Sequence, residues 1–241
     1  DLADARRLVA GADAVICLDL NRLARTEYLE DDILSAQGKK VLVDHHIPAE
    51  LDRFDVAISD TGVSSTCELL FRVLLAMPDI ADDPARLGIR CAESLYVGMM
   101  TDTNNFANSV YPGTFDMAGR LIGIGVDKDG LQEKVLSCYS VSRTRLMGHM
   151  VKNKMVVLPR WKTAYMLLSN KEKARYHFQP GDSEGFVNLP LAIASVQVSA
   201  LFTENADGAY VRVSLRSKGR IDVNRFARRF FYGGGRRTAA G

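Results

Sequence analysis

Lys40-Val41-Leu42-Val43-Asp44-His45-His46 is the stretch on which the reading of this sequence turns. Apolar, mostly β-branched residues run into an acid and two adjacent histidines, which is the pattern of a buried strand delivering polar side chains at its carboxyl end. Open α/β sheets bind their ligands outside that end. Two of the chain's four histidines are spent here, and imidazole beside carboxylate suits manganese, iron or zinc. By itself the triplet also fits one histidine that caps a helix and another at the surface.

Working outward, Ala14-Val15-Ile16-Cys17-Leu18 is a second short apolar run, and it ends in Asp19. Before it, Leu2, Ala5, Leu8 and Val9 lie at helical spacing and Gly11 supplies a stop. Between the two runs, Glu27 to Ala36 is expected to form a crossover helix closed by Gly38. A right-handed β-α-β unit of this kind brings Asp19 and His45 to the same edge of one parallel sheet. A third strand is expected over Phe54 to Ser59, ending at Asp60, after which Thr61 to Ser65 is a polar turn able to cap a helix from Thr66 to about Met77. Leu69, Leu70, Val73, Leu74 and Met77 form the apolar face of that helix. Pro78 to Pro84 reads as a linker. Arg86 to Met100 is again helical in period and runs into Thr101-Asp102-Thr103-Asn104-Asn105-Phe106, which offers a third carboxylate.

Farther on, Pro112 to Gly125 and Asp127 to Ser137 are expected to be helices, followed by a helical connector with Arg143, Arg145 and His149. The pattern then becomes strand-like. Met155 to Leu158, Thr163 to Leu168 and Ser195 to Thr203 are β runs, and Asn205-Ala206-Asp207-Gly208 signals a hairpin into Ala209 to Leu215. A basic helix over Asp222 to Phe231 ends in Gly233-Gly234-Gly235. This divides the chain into 1–137, a connector at 138–152, and 153–241.

Length and composition, 241 residues with 47% hydrophobic and 25% charged, fit a globular protein of one or two domains. No run approaches the roughly 18 apolar residues of a membrane span, and no basic-then-apolar leader is present. Cys17, Cys67, Cys91 and Cys138 are dispersed without a C-x-x-C pair, which argues for reduced thiols in a cytoplasm and against a zinc ribbon. The net charge of +2 conceals an asymmetry: residues 205–241 hold nine Arg or Lys against Asp207 and Asp222, so the body is acidic and the tail basic. That distribution suits metal ions on one part and a phosphorylated ligand on the other. A solvated basic surface is the plainer alternative. For His149 and His177 the ordinary readings are a connector histidine and a surface histidine.

Taken jointly and in order, Asp19, Asp44-His45-His46, Asp102 in a Gly-x-x-x-Asp-Thr segment, and the terminal Gly-Gly-Gly with Ala-Ala-Gly resemble the DHH phosphoesterase superfamily. The second half resembles its DHHA1 domain. Asp182-Ser183-Glu184-Gly185-Phe186-Val187-Asn188 and Ser214-Leu215-Arg216-Ser217 are similar to the nanoRNase and pAp phosphatase branch. The resemblance implies an α/β fold, with a parallel-sheet DHH domain followed by a smaller α/β DHHA1 domain. It also implies two Mn²⁺ ions per active site and metal-assisted phosphoester hydrolysis, in which paired cations activate water and neutralise phosphoryl charge. Asp19 would bridge the metals, His45 and Asp102 would complete one of them, and His46 would contact the scissile phosphate. Asp44 would orient a histidine by hydrogen bonding. Arg216 and Ser217 would bind a substrate phosphate, approached closely by the Gly233, Gly234 and Gly235 backbone and by Arg236.

Two departures go with the resemblance. The family's first strand carries His-x-x-x-Asp-x-Asp, and no such pattern occurs in residues 1–18, so the sequence is expected to be a fragment that by itself holds at most one metal well. Arg236 stands where the family has histidine; arginine keeps affinity for phosphate but cannot exchange a proton near neutral pH. The implied substrates are short single-stranded RNA and 3′-phosphoadenosine 5′-phosphate (pAp), in a cytoplasmic protein with no membrane partner and with a homodimer left open. The alternatives are a cyclic dinucleotide phosphodiesterase, a RecJ-like exonuclease, and a catalytically impaired nucleotide-binding module.

Overall fold

A computed structural model of the chain describes residues 1–47 and 50–241. It falls into two compact units, Asp1–Ser137 and Cys138–Gly241. In the first, α1 (Leu2–Ala10) leads into β1 (Ala14–Leu18), then a 3-10 segment (Leu23–Leu29), α2 (Glu30–Ser35), β2 (Lys39–Asp44) and β3 (Val56–Ser59). The strands lie in the order β1-β2-β3, all parallel, with Leu18 opposite Val43 and Asp44 opposite Ser59. Alternation along β2 sends neighbouring residues to opposite faces. Leu42 packs with Cys17, Leu23, Ile33 and Phe54 on one side, while Val43 packs with Val63 and Leu69 on the other.

The helices α3 (Thr66–Leu75), α4 (Pro78–Ala81), α5 (Ile89–Asp102), α6 (Pro112–Ile124) and α7 (Lys128–Leu136) follow. A second core gathers Phe71, Leu95, Tyr96, Met99, Met100, Met117 and Leu121 between α3, α5 and α6. At about 1.5–3 kcal/mol for each large apolar side chain removed from water, this cluster is a main source of the unit's stability. Gly98 lets α3 and α5 approach closely: a Cβ there would come within 2.2 Å of Cys67 Sγ.

The second unit contains α8 (Val141–His149), continued by a wider turn over Met150–Lys154, β4 (Val156–Leu158), β5 (Thr163–Leu168), α9 (Asn170–Arg175), a 3-10 segment (Phe186–Ala192), β6 (Val198–Glu204), β7 (Val211–Ser217), α10 (Val223–Phe230), β8 (Gly235–Arg236) and β9 (Ala239–Ala240). These strands form one mixed sheet in the order β4-β5-β6-β7-β9-β8. Leu201 points into a core with Leu146, Met150, Met166 and Phe186, whereas its neighbour Ala200 packs with Val223 and Ala227 of α10. Arg143, buried, donates to the Glu184 carbonyl at 2.8 Å and lies 3.4 Å over the Tyr139 ring, which fixes the start of the Phe186–Ala192 segment.

Several expected elements need correction. The crossover is not one helix over Glu27 to Ala36, because the chain kinks at Glu27 (φ 56°) and α2 begins only at the acidic run Glu30-Asp31-Asp32. Acids favour a helix amino terminus, which explains the restart. The supposed linker at Pro78 carries α4, because proline is well placed in a first helical turn. No helix was expected over α9, yet Ser169 and Glu172 form a reciprocal capping box there. Burial alone would push the Glu172 carboxyl up; hydrogen bonds from the Ser169 hydroxyl, Lys154 and the Ser169 amide outweigh it and lower its pKa to about 2.

A carboxylate depressed in the folded state stabilises the fold above its unfolded pKa and loses that contribution as the pH falls through the folded value. Glu172→Gln is therefore expected to cost about 1–2 kcal/mol at neutral pH. In urea titrations the gap from wild type should narrow below pH 4.5 and close near pH 2.

Candidate functional site

Asp19 is the residue just beyond β1, and its amide donates to the Val43 carbonyl of β2 at 3.1 Å. Its φ of 61° is left-handed, a conformation that aspartate adopts more readily than most side chains. The Asp19 carbonyl accepts from Arg25 Nη1 at 3.2 Å, and its Oδ1 accepts from Thr66 Oγ1 at 2.7 Å. His45 and His46 follow β2 directly. His45 Nε2 lies 3.1 Å from Asp102 Oδ2 and 3.7 Å from Asp19 Oδ1. His46 Nδ1 lies 2.7 Å from Asp44 Oδ1 and 3.7 Å from Asp19 Oδ1. The two imidazoles meet edge to face, with centroids 4.8 Å apart.

Asp44 is fully buried. Burial alone would push its carboxyl up, but the hydrogen bond and charge of His46, with His45 adding, hold it below the ordinary carboxylate range. It is thus an anion clamped to one imidazole, the arrangement that fixes ring orientation and tautomer. Asp102 is the last residue of α5, where the helix dipole disfavours negative charge, and its contact with His45 offsets that cost.

The structure brings together Asp19, His45 and His46, each offering one ligand atom within 4.8 Å of the others, with Asp102 against His45. Mixed imidazole and carboxylate donors at that spacing fit a divalent transition-metal cation such as Mn²⁺ or Zn²⁺ better than Mg²⁺. Cys67 belongs to the same surroundings. Burial, with the negative fields of Asp19 and Asp102 and a contribution from Cys91, pushes its thiol up to about 11 in the metal-free chain, so without a bound cation it is protonated near neutral pH.

Thr66 and Glu68 were not among the expected site residues. Glu68 is buried at 1% exposure, and its Oε2 accepts from the Ser64 amide at 3.0 Å, the Ser64 hydroxyl at 2.7 Å and the Thr114 hydroxyl at 2.8 Å. Oε1 meets Arg72 Nη2 at 2.5 Å. Without these donors a carboxylate at that depth would cost several kcal/mol; with them it holds its charge, its pKa lowered against the pull of burial by Ser64, Thr114 and Arg72. Gly113 leaves room for this network, since a Cβ there would meet Glu68 Oε1 at 2.7 Å. The sequence did carry a signal, Ser65-x-x-Glu68, which is a helix-capping spacing. Ser65 does cap α3, but Glu68 reaches Ser64 instead of completing the box.

In the second unit, Arg216 pairs with Ser199 and Ala239 across β7, and its Nη1 donates to the Leu215 carbonyl at 2.9 Å. Ser217 uses its hydroxyl proton on the Ile221 carbonyl at 2.7 Å, so a phosphate would have to replace that acceptor. The glycines serve a close backbone approach: a Cβ on Gly233 would meet Gly241 O at 2.3 Å, and one on Gly235 would meet Ala239 O at 2.4 Å. Gly234 and Gly241 exchange reciprocal amide hydrogen bonds of 3.0 Å. The Arg236 side chain lies outside the described residues. His149 stacks near Tyr176 with Nδ1 3.0 Å from Asn153, and His177 is exposed; neither joins a metal-ligating group among the described residues.

The DHH family N-terminal domain matches residues 2–99, and the DHHA1 domain matches residues 163–241. The chain belongs to the DHH family. The "Probable bifunctional oligoribonuclease and PAP phosphatase NrnA" of Streptococcus mutans is 30% identical over 205 residues, covering 83% of this chain and 61% of that protein. The "Bifunctional oligoribonuclease and PAP phosphatase NrnA" of Bacillus subtilis is 25% identical over 235 residues, covering 96% and 69%. The chain thus spans well short of the full length of both curated relatives. A crystal structure of an exopolyphosphatase-related protein from Bacteroides fragilis, 36% identical, superposes with a TM-score of 0.92 over 100% of this chain and 68% of that one. The DHH match encloses Asp19 and Asp44-His45-His46, and the DHHA1 match encloses Arg216, Ser217 and the glycine triplet. Among the described residues no helix is long and apolar enough to cross a membrane, and Cys17, Cys67 and Cys91 are free thiols.

Removing the Glu68 carboxylate strands the Ser64 and Thr114 donors. Glu68→Ala is expected to lower unfolding free energy by about 2–4 kcal/mol in denaturant titrations.

Proposed function

We propose that this chain is the DHH and DHHA1 portion of a Mn²⁺-dependent phosphoesterase that hydrolyses short single-stranded RNA and pAp. The observation that carries this reading is the convergence of Asp19, His45 and His46, with Asp102 against His45, beyond the carboxyl ends of parallel strands in a DHH-family chain. The names of the two curated relatives support the substrate classes.

Asp19, His45 and Asp102 would hold the metal. Once bound, the cation would supply Lewis-acid stabilisation of phosphoryl oxygens. The protein's own part is orientation. With Nδ1 engaged by Asp44 at 2.7 Å, His46 has a fixed ring plane and presents Nε2 for a hydrogen bond to a phosphoryl oxygen. In its protonated form the ring donates from both nitrogens, Nδ1 to Asp44 and Nε2 outward. In the second unit the guanidinium of Arg216 suits the non-reacting phosphate of pAp or the backbone of a short oligonucleotide, because it is planar and permanently charged. The surplus of basic residues over 205–241 supports an anionic ligand for this unit. We further propose that the protein works in the cytoplasm, where its four cysteines stay reduced.

In the full-length enzyme, His46→Ala should lower kcat for pAp and for a dinucleotide RNA by at least about 10²-fold, as expected for loss of a proton-donating or charge-stabilising group. Mn²⁺ binding should persist in this variant. Unchanged hydrolysis of both substrates by His46→Ala would overturn the assignment. Parallel assays on cyclic dinucleotides and long single strands separate the related activities.

A further inference from the structure

We propose that Thr66 is a positioning residue for the Asp19 carboxylate: its hydroxyl selects the rotamer in which Oδ1 faces the two histidines. This rests on the reading of Asp19 as a metal ligand given above.

Asp19 needs such a restraint. It stands on a single left-handed residue beyond the strand, and its side chain is 55% exposed, so nothing in its packing prevents rotation of the carboxylate. The final carbon–carbon torsion of aspartate is soft and roughly two-fold, which leaves the identity of the inward oxygen open. Thr66 Oγ1 closes that freedom with a hydrogen bond of 2.7 Å to Oδ1. The same Oδ1 lies 3.7 Å from His45 Nε2 and 3.7 Å from His46 Nδ1. A carboxylate oxygen has two acceptor directions. Thr66 takes one of them and leaves the other for whatever the histidines share.

Thr66 is itself rigid. It is the first residue of α3, buried at 6% exposure. A threonine inside a helix usually turns its hydroxyl back onto the carbonyl four residues earlier, but at the first helical position no such turn precedes it. The hydroxyl is therefore available to Asp19, 47 residues away in sequence. Branching at Cβ restricts χ1, so Oγ1 cannot wander as a serine hydroxyl can. The Ser65 cap and the Glu68 network on Ser64 and Thr114 hold the segment on either side. A well-anchored donor thus fixes a loosely packed acceptor.

The test uses the full-length protein and Mn²⁺ itself, with binding followed by calorimetric titration and thermal unfolding recorded on metal-free samples. Thr66→Val, nearly isosteric, should weaken Mn²⁺ binding about 10- to 100-fold, the range for loss of an outer hydrogen bond to a ligand. Thr66→Ser should recover most of that loss, and the metal-free melting temperature should stay near wild type in both. Asp19→Asn is the reference for loss of the ligand. Wild-type Mn²⁺ affinity in Thr66→Val together with lost affinity in Asp19→Asn overturns the role of Thr66 alone. Wild-type affinity in both variants overturns the metal role of Asp19 instead. A fall in affinity that tracks a lowered metal-free melting temperature and is not recovered by Thr66→Ser also overturns the proposal, because it marks a purely structural threonine.

Discussion

The hydrogen bond from the Asp19 amide to the Val43 carbonyl extends the pairing of β1 and β2 by one step past the last strand residue. Asp19 and the Asp44-His45-His46 triplet take their places from that register. Because the strands are parallel, their carboxyl ends coincide, and Asp19 emerges beside Asp44, His45 and His46. A shift of one residue would reverse the facing of every side chain on β1 and take Cys17 out of the core that it shares with Leu42 and Ile33. The apolar contacts hold the register, and the register sets the spacing of the polar groups.

Around that frame, charge is stabilised by local pairing and not by solvent. Asp44 and Glu68 are both nearly inaccessible, yet each keeps a lowered pKa because donors surround it. Cys67 lacks such donors and shifts the other way. The contrast shows which buried groups the fold keeps ionised: those it can hydrogen-bond. Of the two, Asp44 stands directly against the His46 imidazole, while Glu68 anchors the segment that carries Thr66.

The parallel unit was legible in the sequence because Ala14 to Leu18 and Lys40 to Val43 are short apolar runs, each ending in a polar residue. Their separation of one helix length leaves little choice of topology. The helices α3, α5 and α6 were equally legible from their periodicity. What could not be read depends on distant partners. Nothing local pairs Thr66 with Asp19, commits the Ser217 hydroxyl to Ile221, or shows that Gly233 and Gly235 are needed against Ala239 to Gly241. The kink at Glu27 has no glycine or proline to announce it. The α9 cap is a different case, since Ser169 and Glu172 already stood at capping-box spacing within a stretch too short and polar to show a period.

The left-handed backbone at Asp19 has a consequence for how this position can vary. Glycine, asparagine and aspartate adopt such a conformation at low cost, whereas glutamate and the β-branched residues do not. Coordination chemistry asks for a carboxylate. Aspartate satisfies both demands at the lowest cost, so drift at this site is opposed from two independent directions. A protein that lost the chemistry would be free to relax to glycine or asparagine here without disturbing its sheet, which makes the residue at this one position a compact record of whether a chain of this fold still has use for a ligand.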